Sequence, residues 1–270
     1  MRNLQLSAGD GPILVLVPHE DDEIILFGGL IRRATSLGVP ATVALVTNGD
    51  YGDSDGSIGR ARLRESLCGL SDLGLAEENV VFLGYADTGM QEKESFLAGL
   101  YAEPDATLVH PSHGGTNTYG LPPHPDFHTQ RFGKPASYTR NNLTGDLTAL
   151  LGAVQPTRIF TTHPADAHGD HAALFRFVQA LPPQAEVYCG FAHSPLGDAA
   201  WPLPGERFTC PPNLDAQWRN AVSLALTERE REAKRLALSR HVTALKPDAI
   251  EYLYAFIKQA EVYFPLEAVR

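Results

Sequence analysis

Two short clusters of potential metal ligands follow two strand-like runs in this chain. Residues 18–23 read Pro-His-Glu-Asp-Asp-Glu and come directly after the apolar run 13–17. Residues 168–171 read His-Gly-Asp-His and come shortly after the apolar and threonine-rich run 158–162. In α/β proteins, ligands usually bind at the carboxyl ends of the strands. The two clusters therefore predict one divalent metal ion held between two loops of an α/β sheet.

The first cluster combines a histidine with two adjacent aspartates. His19 and Asp22 are three residues apart, so a tight turn into a following helix can direct both at one point. An imidazole nitrogen and a carboxylate oxygen suit zinc or a similar ion. Asp21 cannot easily face the same way as Asp22, so it is available as a base for a metal-bound water. An acidic helix N-terminus is the alternative explanation; it accounts for Glu23 but not for His19.

The second cluster supplies two histidines around an aspartate. A catalytic zinc ion typically has three protein ligands and one open position. His19, Asp22 and either His168 or His171 would complete such a set. The remaining histidine could polarise a carbonyl group or protonate a leaving amine. Asp170 could hold a histidine ring in the required tautomer.

The elements that must position these clusters alternate between strands and helices. This rhythm predicts an α/β, Rossmann-like fold with a mostly parallel sheet and helices on both faces. The predicted strands are 12–17, 41–47, 80–83, 158–162 and 186–191, and the predicted helices are 22–37, 58–73, 142–154 and 170–181.

Two segments depart from this rhythm. Residues 104–138 have no period and form an irregular insertion, which in a compact domain is usually functional or mobile. Residues 192–213 contain five prolines and predict a connector. After it, a helical C-terminal extension is expected from about 214, with one long amphipathic helix at 214–245 and another at 249–260. No linker separates two units, so residues 1–270 are expected to form a single domain.

Composition narrows the classes of function. The net charge of −10 makes nucleic acid an unfavourable partner. The three widely spaced cysteines indicate neither a thiolate zinc site nor a disulfide framework. No segment reaches the roughly 18 apolar residues that a membrane span needs, and the N-terminus does not resemble a secretory signal. We expect a cytoplasmic protein without a membrane partner, and a homo-oligomer is compatible with the sequence.

Several short motifs of this chain resemble those of a known enzyme family. Residues 18–23 with Gly28-Gly29 resemble the signature of the PIG-L/LmbE-like N-deacetylase family, which usually reads Pro-His-Pro-Asp-Asp-Glu. Thr-His-Pro at 162–164 followed by 168–171 resembles the second motif of the family. Arg62-x-x-Glu65 and the Gly-x-x-Asp segment at 84–87 resemble its two shorter motifs. The similarity extends over about residues 11–190, and Glu20 replaces the usual proline.

The resemblance implies a zinc enzyme that removes an acyl group, usually acetyl, from an amino sugar. By motif position, it implies that the metal ligands are His19, Asp22 and His171. Asp21 becomes the general base and His168 stabilises the oxyanion, with Asp170 as the partner of His168. Arg62 and Asp87 correspond to residues near the substrate.

Two residues of the insertion are further candidates for substrate binding. Tyr119 could stack on a sugar or donate a hydrogen bond to it, although ordinary loop packing accounts for it equally well. His124 belongs to a His-Pro-Asp-Phe-His sequence, where surface exposure or substrate contact is favoured over metal binding.

Together these features predict a metal-dependent hydrolase that removes an N-acetyl group from an N-acetylglucosamine-type conjugate by attack of a metal-bound water. The expected ion is Zn²⁺, although Fe²⁺ and Mn²⁺ also accept these ligands. The expected partner is a small amino-sugar conjugate. The alternatives are an amidase for a larger N-acyl or non-sugar amide, and a catalytically inactive sugar- or metal-binding protein. Asp21 argues against the inactive protein, because a binding protein needs no base.

Overall fold

The computed structural model describes residues 1–182 and 185–266, and over these residues the strands form one mixed sheet. The strands are β1 (Arg2–Asn3), β2 (Ile13–Val17), β3 (Ala41–Thr47), β4 (Val80–Tyr85), β5 (Arg158–Thr162), β6 (Glu186–Gly190), β7 (Val222–Ala225) and β8 (Ala260–Leu266). The helices are α1 (Asp22–Leu37), α2 (Ser57–Asp72), α3 (Phe96–Ala102), α4 (Phe127–Phe132), α5 (Arg140–Val154), α6 (Gly169–Ala180), α7 (Asp215–Trp218), α8 (Glu228–Leu238) and α9 (Ile250–Tyr254).

The apolar strands are buried on both sides. Successive side chains of a strand point to opposite faces of the sheet. Ile13, Val15 and Val17 of β2 accordingly pack in one apolar cluster with α1, α2 and α8. Leu14 and Leu16 pack in a second cluster with α3, α5 and α6. The predicted α/β class, with a mostly parallel sheet and helices on both faces, is confirmed.

The order of the strands brings the two ligand clusters together. The sheet runs β1-β7-β8-β6-β5-β2-β3-β4, and the five strands from β6 to β4 are parallel. After β2 the chain adds β3 and β4 on one side, and it later adds β5 and β6 on the other. The loops after β2 and β5 therefore leave neighbouring strands at a topological switch point, where α/β sheets form their ligand sites.

The C-terminal region differs from the sequence-based expectation. The single helix predicted at 214–245 is wrong, because this segment forms α7, β7 and α8. Val222 and Leu224 are buried while Ser223 between them is half-buried, which is the alternation of a strand. β7 pairs with β1 and with β8. Thr227 then caps α8 through a reciprocal pair of hydrogen bonds with Glu230, so the helix begins there.

The helix predicted at 249–260 is also shorter than expected. It is limited to α9, and β8 begins at Ala260. β8 runs antiparallel to both β6 and β7, so it joins the C-terminal region to the central sheet. Among the described residues, no helix is both long and apolar enough to span a membrane.

The irregular insertion at 104–138 packs against the carboxyl end of β4. Apart from α4 and a few isolated bridges, its described backbone is not part of a helix or strand. Its Tyr119 N–H donates to the carbonyl oxygen of Gly84 at 3.2 Å. Gly84 has a φ of 80°, and a Cβ atom there would lie 2.5 Å from the Tyr119 carbonyl oxygen. The contact between the insertion and β4 therefore requires glycine at position 84.

Candidate metal and catalytic site

Three side chains from the two ligand clusters converge beyond the carboxyl ends of β2 and β5. Nδ1 of His19 lies 3.3 Å from Oδ2 of Asp22, and the same oxygen lies 3.1 Å from Nε2 of His171. All three residues are buried. Asp22 opens α1 and His171 lies in the first turn of α6, so two helices and the sheet edge fix their positions.

The chemistry of these atoms fits a divalent cation. Both ring nitrogens of His171 are buried and have no hydrogen-bond partner among the described residues, although the carboxylates of Asp22 and Asp166 are close. Ligand atoms of a tetrahedral zinc ion with bonds of about 2.0–2.1 Å lie about 3.3–3.4 Å apart. The two spacings that involve the Asp22 oxygen, 3.1 and 3.3 Å, are close to that value. A second grouping is also compatible with a metal, because ligand atoms of His19, His168 and His171 lie within 4.8 Å of one another.

A carboxylate lies beside the outer nitrogen of each histidine. Nε2 of His19 lies 3.0 Å from Oδ2 of Asp170, and Nδ1 of His171 lies 3.2 Å from Oδ2 of Asp166. The contact to His19 is a hydrogen bond, whereas the contact to His171 does not have hydrogen-bond geometry. A carboxylate that accepts the N–H of a ring leaves the inner nitrogen with its lone pair for a metal. Both rings are thereby oriented towards Asp22.

The charges of this cluster favour a positive charge at its centre. Burial alone would lower the pKa of His171, but Asp22 and Asp166 raise it to about 10. Burial would likewise raise the pKa of Asp22, but His171 and His19 hold it well below its ordinary value. The carboxylates therefore stabilise a cation here, whether it is a proton on a histidine or a metal ion.

Asp170 has a different partner from the one expected from the motif. Its carboxylate accepts hydrogen bonds from the hydroxyl of Ser95 and from the N–H of Leu97, and it contacts His19. The structure thus pairs this carboxylate with His19 instead of with His168. The physical reason is the geometry of the helix start, where the backbone N–H of Asp170 donates to Nδ1 of His168 at 3.2 Å and the side chain points elsewhere.

His168 lies beside the three converging side chains as a neutral donor. Its ring centroid is 4.5 Å from that of His19 and 4.9 Å from that of His171. Burial, together with the positive charge on the neighbouring histidines, lowers the pKa of His168 far below its ordinary value. Because Nδ1 accepts the Asp170 N–H, the ring proton of the neutral imidazole is on Nε2. This N–H is available to a substrate oxygen.

Asp21 occupies an unusual backbone conformation at the start of α1. Its φ is 122°, a region that residues other than glycine seldom adopt. Burial raises the pKa of Asp21 to about 6, against the effect of Arg62, whose Nη2 lies 3.5 Å from the Asp21 carboxylate. A carboxylate whose pKa is shifted towards neutrality is suited to accept a proton.

Of the four residues expected near a substrate, two lie at the cluster. Arg62 contacts Glu20 and Asp21. A carboxylate oxygen of Asp87 lies within 4.8 Å of ligand atoms of His19 and Asp170.

The other two residues have partners elsewhere. The Tyr119 hydroxyl donates to Asp50 at 2.9 Å, and Asp50 in turn accepts the backbone N–H of Asp87, so Tyr119 reaches the cluster only indirectly. His124 lies at the opposite end of β4. Its Nε2 is 2.9 Å from the carbonyl oxygen of Val80, the first residue of that strand. The structure does not bring His124 to the cluster.

Sequence reasoning missed three residues of the site. Asp166, which lies 3.2 Å from His171, follows β5, and it could have been found by considering every carboxylate between that strand and α6. His193 follows β6, and its ring centroid lies 5.0 Å from that of His171. Tyr252 reaches His193 from α9, with its hydroxyl oxygen 3.2 Å from Nδ1. No local sequence signal indicates either of these two.

A family model described as PIG-L, GlcNAc-PI de-N-acetylase, matches residues 14–181. The matched range contains both ligand clusters. The comparison with curated protein sequences found no match.

Several solved structures share the fold. The N,N'-diacetylchitobiose deacetylase of Pyrococcus horikoshii aligns with a TM-score of 0.58 and 16% identity, over 97% of this chain and 85% of that chain. The A40926 pseudoaglycone deacetylase Dbv21 aligns with a TM-score of 0.58 and 16% identity, over 96% and 98% of the two chains. The conserved protein TT1542 of Thermus thermophilus aligns with a TM-score of 0.53 and 17% identity, over 96% of each chain. At these identities the likeness shows the fold.

Proposed function

Because the chain belongs to the PIG-L family, whose model matches residues 14–181 of its 270 residues, we propose that it is a metal-dependent hydrolase acting on an N-acetylated amino sugar. The reaction would release acetate and leave the free amine on an N-acetylglucosamine-type conjugate. The observation that carries this proposal is the convergence of His19, Asp22 and His171, with Asp21 and His168 beside them.

In this proposal, the ligands of the metal ion are His19, Asp22 and His171. Zn²⁺ is the preferred ion, and Fe²⁺ or Mn²⁺ would fit the same atoms. When bound, the ion would polarise the amide carbonyl and lower the pKa of a water molecule. Asp170 and Asp166 would keep the two imidazole rings in the ligating tautomer.

The remaining residues would handle the proton and the developing charge. Asp21 would accept the proton of the attacking water as its oxygen approaches the amide carbon. The Nε2–H of His168 would donate to the carbonyl oxygen as that oxygen becomes negative. The leaving amine then needs a proton, which Asp21, once protonated, or His168 could supply.

The substrate class follows from the family and from the surroundings of the site. The family description names a GlcNAc conjugate, and two of the similar structures are named as deacetylases of chitobiose and of a pseudoaglycone. Asp87 adds a carboxylate next to His19, which could accept hydrogen bonds from sugar hydroxyl groups. We therefore propose a small sugar conjugate as the partner of this site.

The direct test combines metal analysis with product detection. Protein loaded with Zn²⁺ is assayed for acetate release from N-acetylglucosamine, N,N'-diacetylchitobiose and aryl or alkyl N-acetylglucosaminides. Matched panels carry longer N-acyl chains or N-acetyl amino acids. We expect one bound ion per chain and acetate release from at least one sugar conjugate. Release only from the longer acyl or non-sugar amides would identify an amidase. Metal binding without release of any acid would identify a binding protein.

The control for this test is Asp21→Asn. It keeps the shape of the side chain but removes its ability to accept a proton. We expect this variant to bind the metal with the same stoichiometry and to lose activity by about 10²–10⁴-fold. Turnover at the wild-type rate would exclude Asp21 as the base.

A further inference from the structure

The peptide unit between Glu20 and Asp21 is held at both of its polar groups. Its carbonyl oxygen accepts a hydrogen bond from Nη2 of Arg62 at 2.6 Å. Its N–H donates to Oε2 of Glu23 at 2.8 Å. The orientation of this peptide unit determines the φ of Asp21, which is 122°. The two contacts therefore hold the proposed base in a backbone conformation that it would not otherwise favour.

Arg62 reaches this peptide from α2, and its guanidinium is placed between two carboxylates. Nη2 lies 3.5 Å from the Asp21 carboxylate, and Nε lies 3.5 Å from the Glu20 carboxylate. The oxygens of Glu20 are fully buried and have no hydrogen-bond partner among the described residues. Arg62 thus supplies a positive charge beside this buried carboxyl group, although no hydrogen bond joins the two side chains.

The loop after β3 packs closely against the side chains of Glu20 and Arg62. Gly49, which follows β3, has a φ of 55°, and a Cβ atom at this position would collide with the Glu20 carboxylate and with Nε of Arg62. The loop after β3 therefore packs directly against Glu20 and Arg62.

We infer that Arg62 is a positioning residue, which holds the Glu20–Asp21 peptide unit so that the Asp21 carboxylate faces the reaction site. This inference rests on the proposed function, because it assumes that Asp21 acts as the base. Glu23 has the complementary role on the N–H side of the peptide. Glu20 stands where the family usually has proline, so the contact between Glu20 and Arg62 is a feature of this chain.

The kinetic test compares Arg62→Ala and Arg62→Lys with Arg64→Ala. Arg64 lies on the same helix but is exposed, and among the described residues its guanidinium hydrogen-bonds only to the backbone carbonyl oxygen of Arg60. A misplacement of about 1 Å can cost about 10²-fold in rate. We expect Arg62→Ala to lower kcat by about that factor while KM changes little. Millimolar guanidinium should restore part of kcat for Arg62→Ala, and Arg64→Ala should behave as wild type.

The opposite kinetic pattern would overturn the inference. If Arg62 contacted the substrate alone, Arg62→Ala would raise KM and leave kcat unchanged. Arg62→Lys provides a second variant, because a lysine keeps the positive charge. Its single ammonium group cannot contact the Glu20 carbonyl oxygen and the Glu20 carboxylate in the way that the planar guanidinium does. Thermal unfolding of each variant shows whether a loss of kcat is only a loss of folded protein.

A crystal structure of Arg62→Ala tests, without any activity assay, whether Arg62 holds the Glu20–Asp21 peptide unit. We expect the Glu20–Asp21 peptide to rotate and the φ of Asp21 to leave the positive region. An unchanged φ at Asp21 would overturn the inference even if activity were lost. A wild-type enzyme that released no acid from any amide would instead refute the proposed function, and the structural result would still decide whether Arg62 holds this peptide.

Discussion

Lys234 and Glu261 form a buried ion pair that hydrogen-bonds to backbone groups of α1. The Lys234 ammonium lies 2.6 Å from the Glu261 carboxylate and donates to the carbonyl oxygen of Ile25 at 2.8 Å. The Glu261 carboxylate accepts the N–H of Gly29 at 2.7 Å. In a regular α-helix, the carbonyl group of residue 25 and the N–H of residue 29 would pair with each other.

The Gly28–Gly29 sequence explains how Lys234 and Glu261 can come so close to the backbone of α1. A Cβ atom on Gly29 would lie 3.0 Å from the Glu261 carboxylate carbon and would collide with Leu226. A Cβ atom on Gly28 would lie 3.0 Å from Cγ of Lys234. The two glycines therefore allow α8 and β8 to approach the helix that begins with Asp22. The C-terminal region thereby packs against α1, the helix that carries the proposed metal ligand Asp22.

The first prediction concerns the stability that depends on this pair. Lys234→Met removes the ammonium and leaves the Glu261 carboxylate buried without its cation. We expect the free energy of unfolding to fall by about 3–5 kcal/mol, measured by urea denaturation. Arg176→Ala, which removes an ion pair at the surface, is the control and should cost about 0–1 kcal/mol. Equal losses in the free energy of unfolding for the two variants would show that the buried ion pair stabilises the fold no more than a surface pair does.

The second prediction concerns the carboxylates that orient the histidines. Asp170→Asn and Asp166→Asn weaken the hold on His19 and His171 without removing a proposed ligand. We expect each to reduce metal affinity by about 10–100-fold, measured by competition with a chromogenic chelator. Asp198→Asn is the matched control, because Asp198 contacts His193 instead of a proposed ligand. Wild-type affinity in both site variants would contradict the orienting role.

The third prediction separates the two possible ligand sets. If His168 stabilises the oxyanion, His168→Ala should keep one metal ion per chain and lose about 10²–10³-fold in kcat. If His19, His168 and His171 are the ligands, the same variant should lose the metal. Metal analysis of His168→Ala beside Asp22→Ala therefore decides which residue completes the set.

The fourth prediction concerns pH. Burial raises the pKa of Glu23 from 4.5 to about 8, so the folded protein keeps a proton that the unfolded chain releases above about pH 4.5. The contribution of this proton to stability is therefore complete below about pH 4.5 and is lost as the pH rises through about 8.

Glu23→Gln imitates the protonated side chain and can still accept the Asp21 N–H. We expect wild-type stability to fall relative to this variant between about pH 4.5 and 8, by at most about 1.4 kcal/mol per pH unit. The measurement is urea denaturation of the metal-free proteins at several pH values. Parallel stability curves for the two proteins would show that Glu23 is ionised in the folded state.

Much of the fold and part of the site could be predicted from local sequence. The strands and helices predicted between residues 12 and 191 agree with the structure to within two residues at each end. His19 and Asp22 could be paired because their relative positions depend on one turn between β2 and α1. The C-terminal strands could not be predicted, because the apolar residues around 222 fit a helix equally well and only the pairing of β7 with β8 decides between the two.

The local sequence indicates which residues have the right chemistry and which neighbours in the chain they can face. Only in the folded chain does Asp170 hydrogen-bond to His19 across 151 positions, Asp166 lie beside His171, and Arg62 donate to the Glu20 carbonyl oxygen. This difference arises because a turn of three or four residues has few conformations. Contacts between distant residues depend instead on how helices pack against a twisted sheet, and no short segment contains that information.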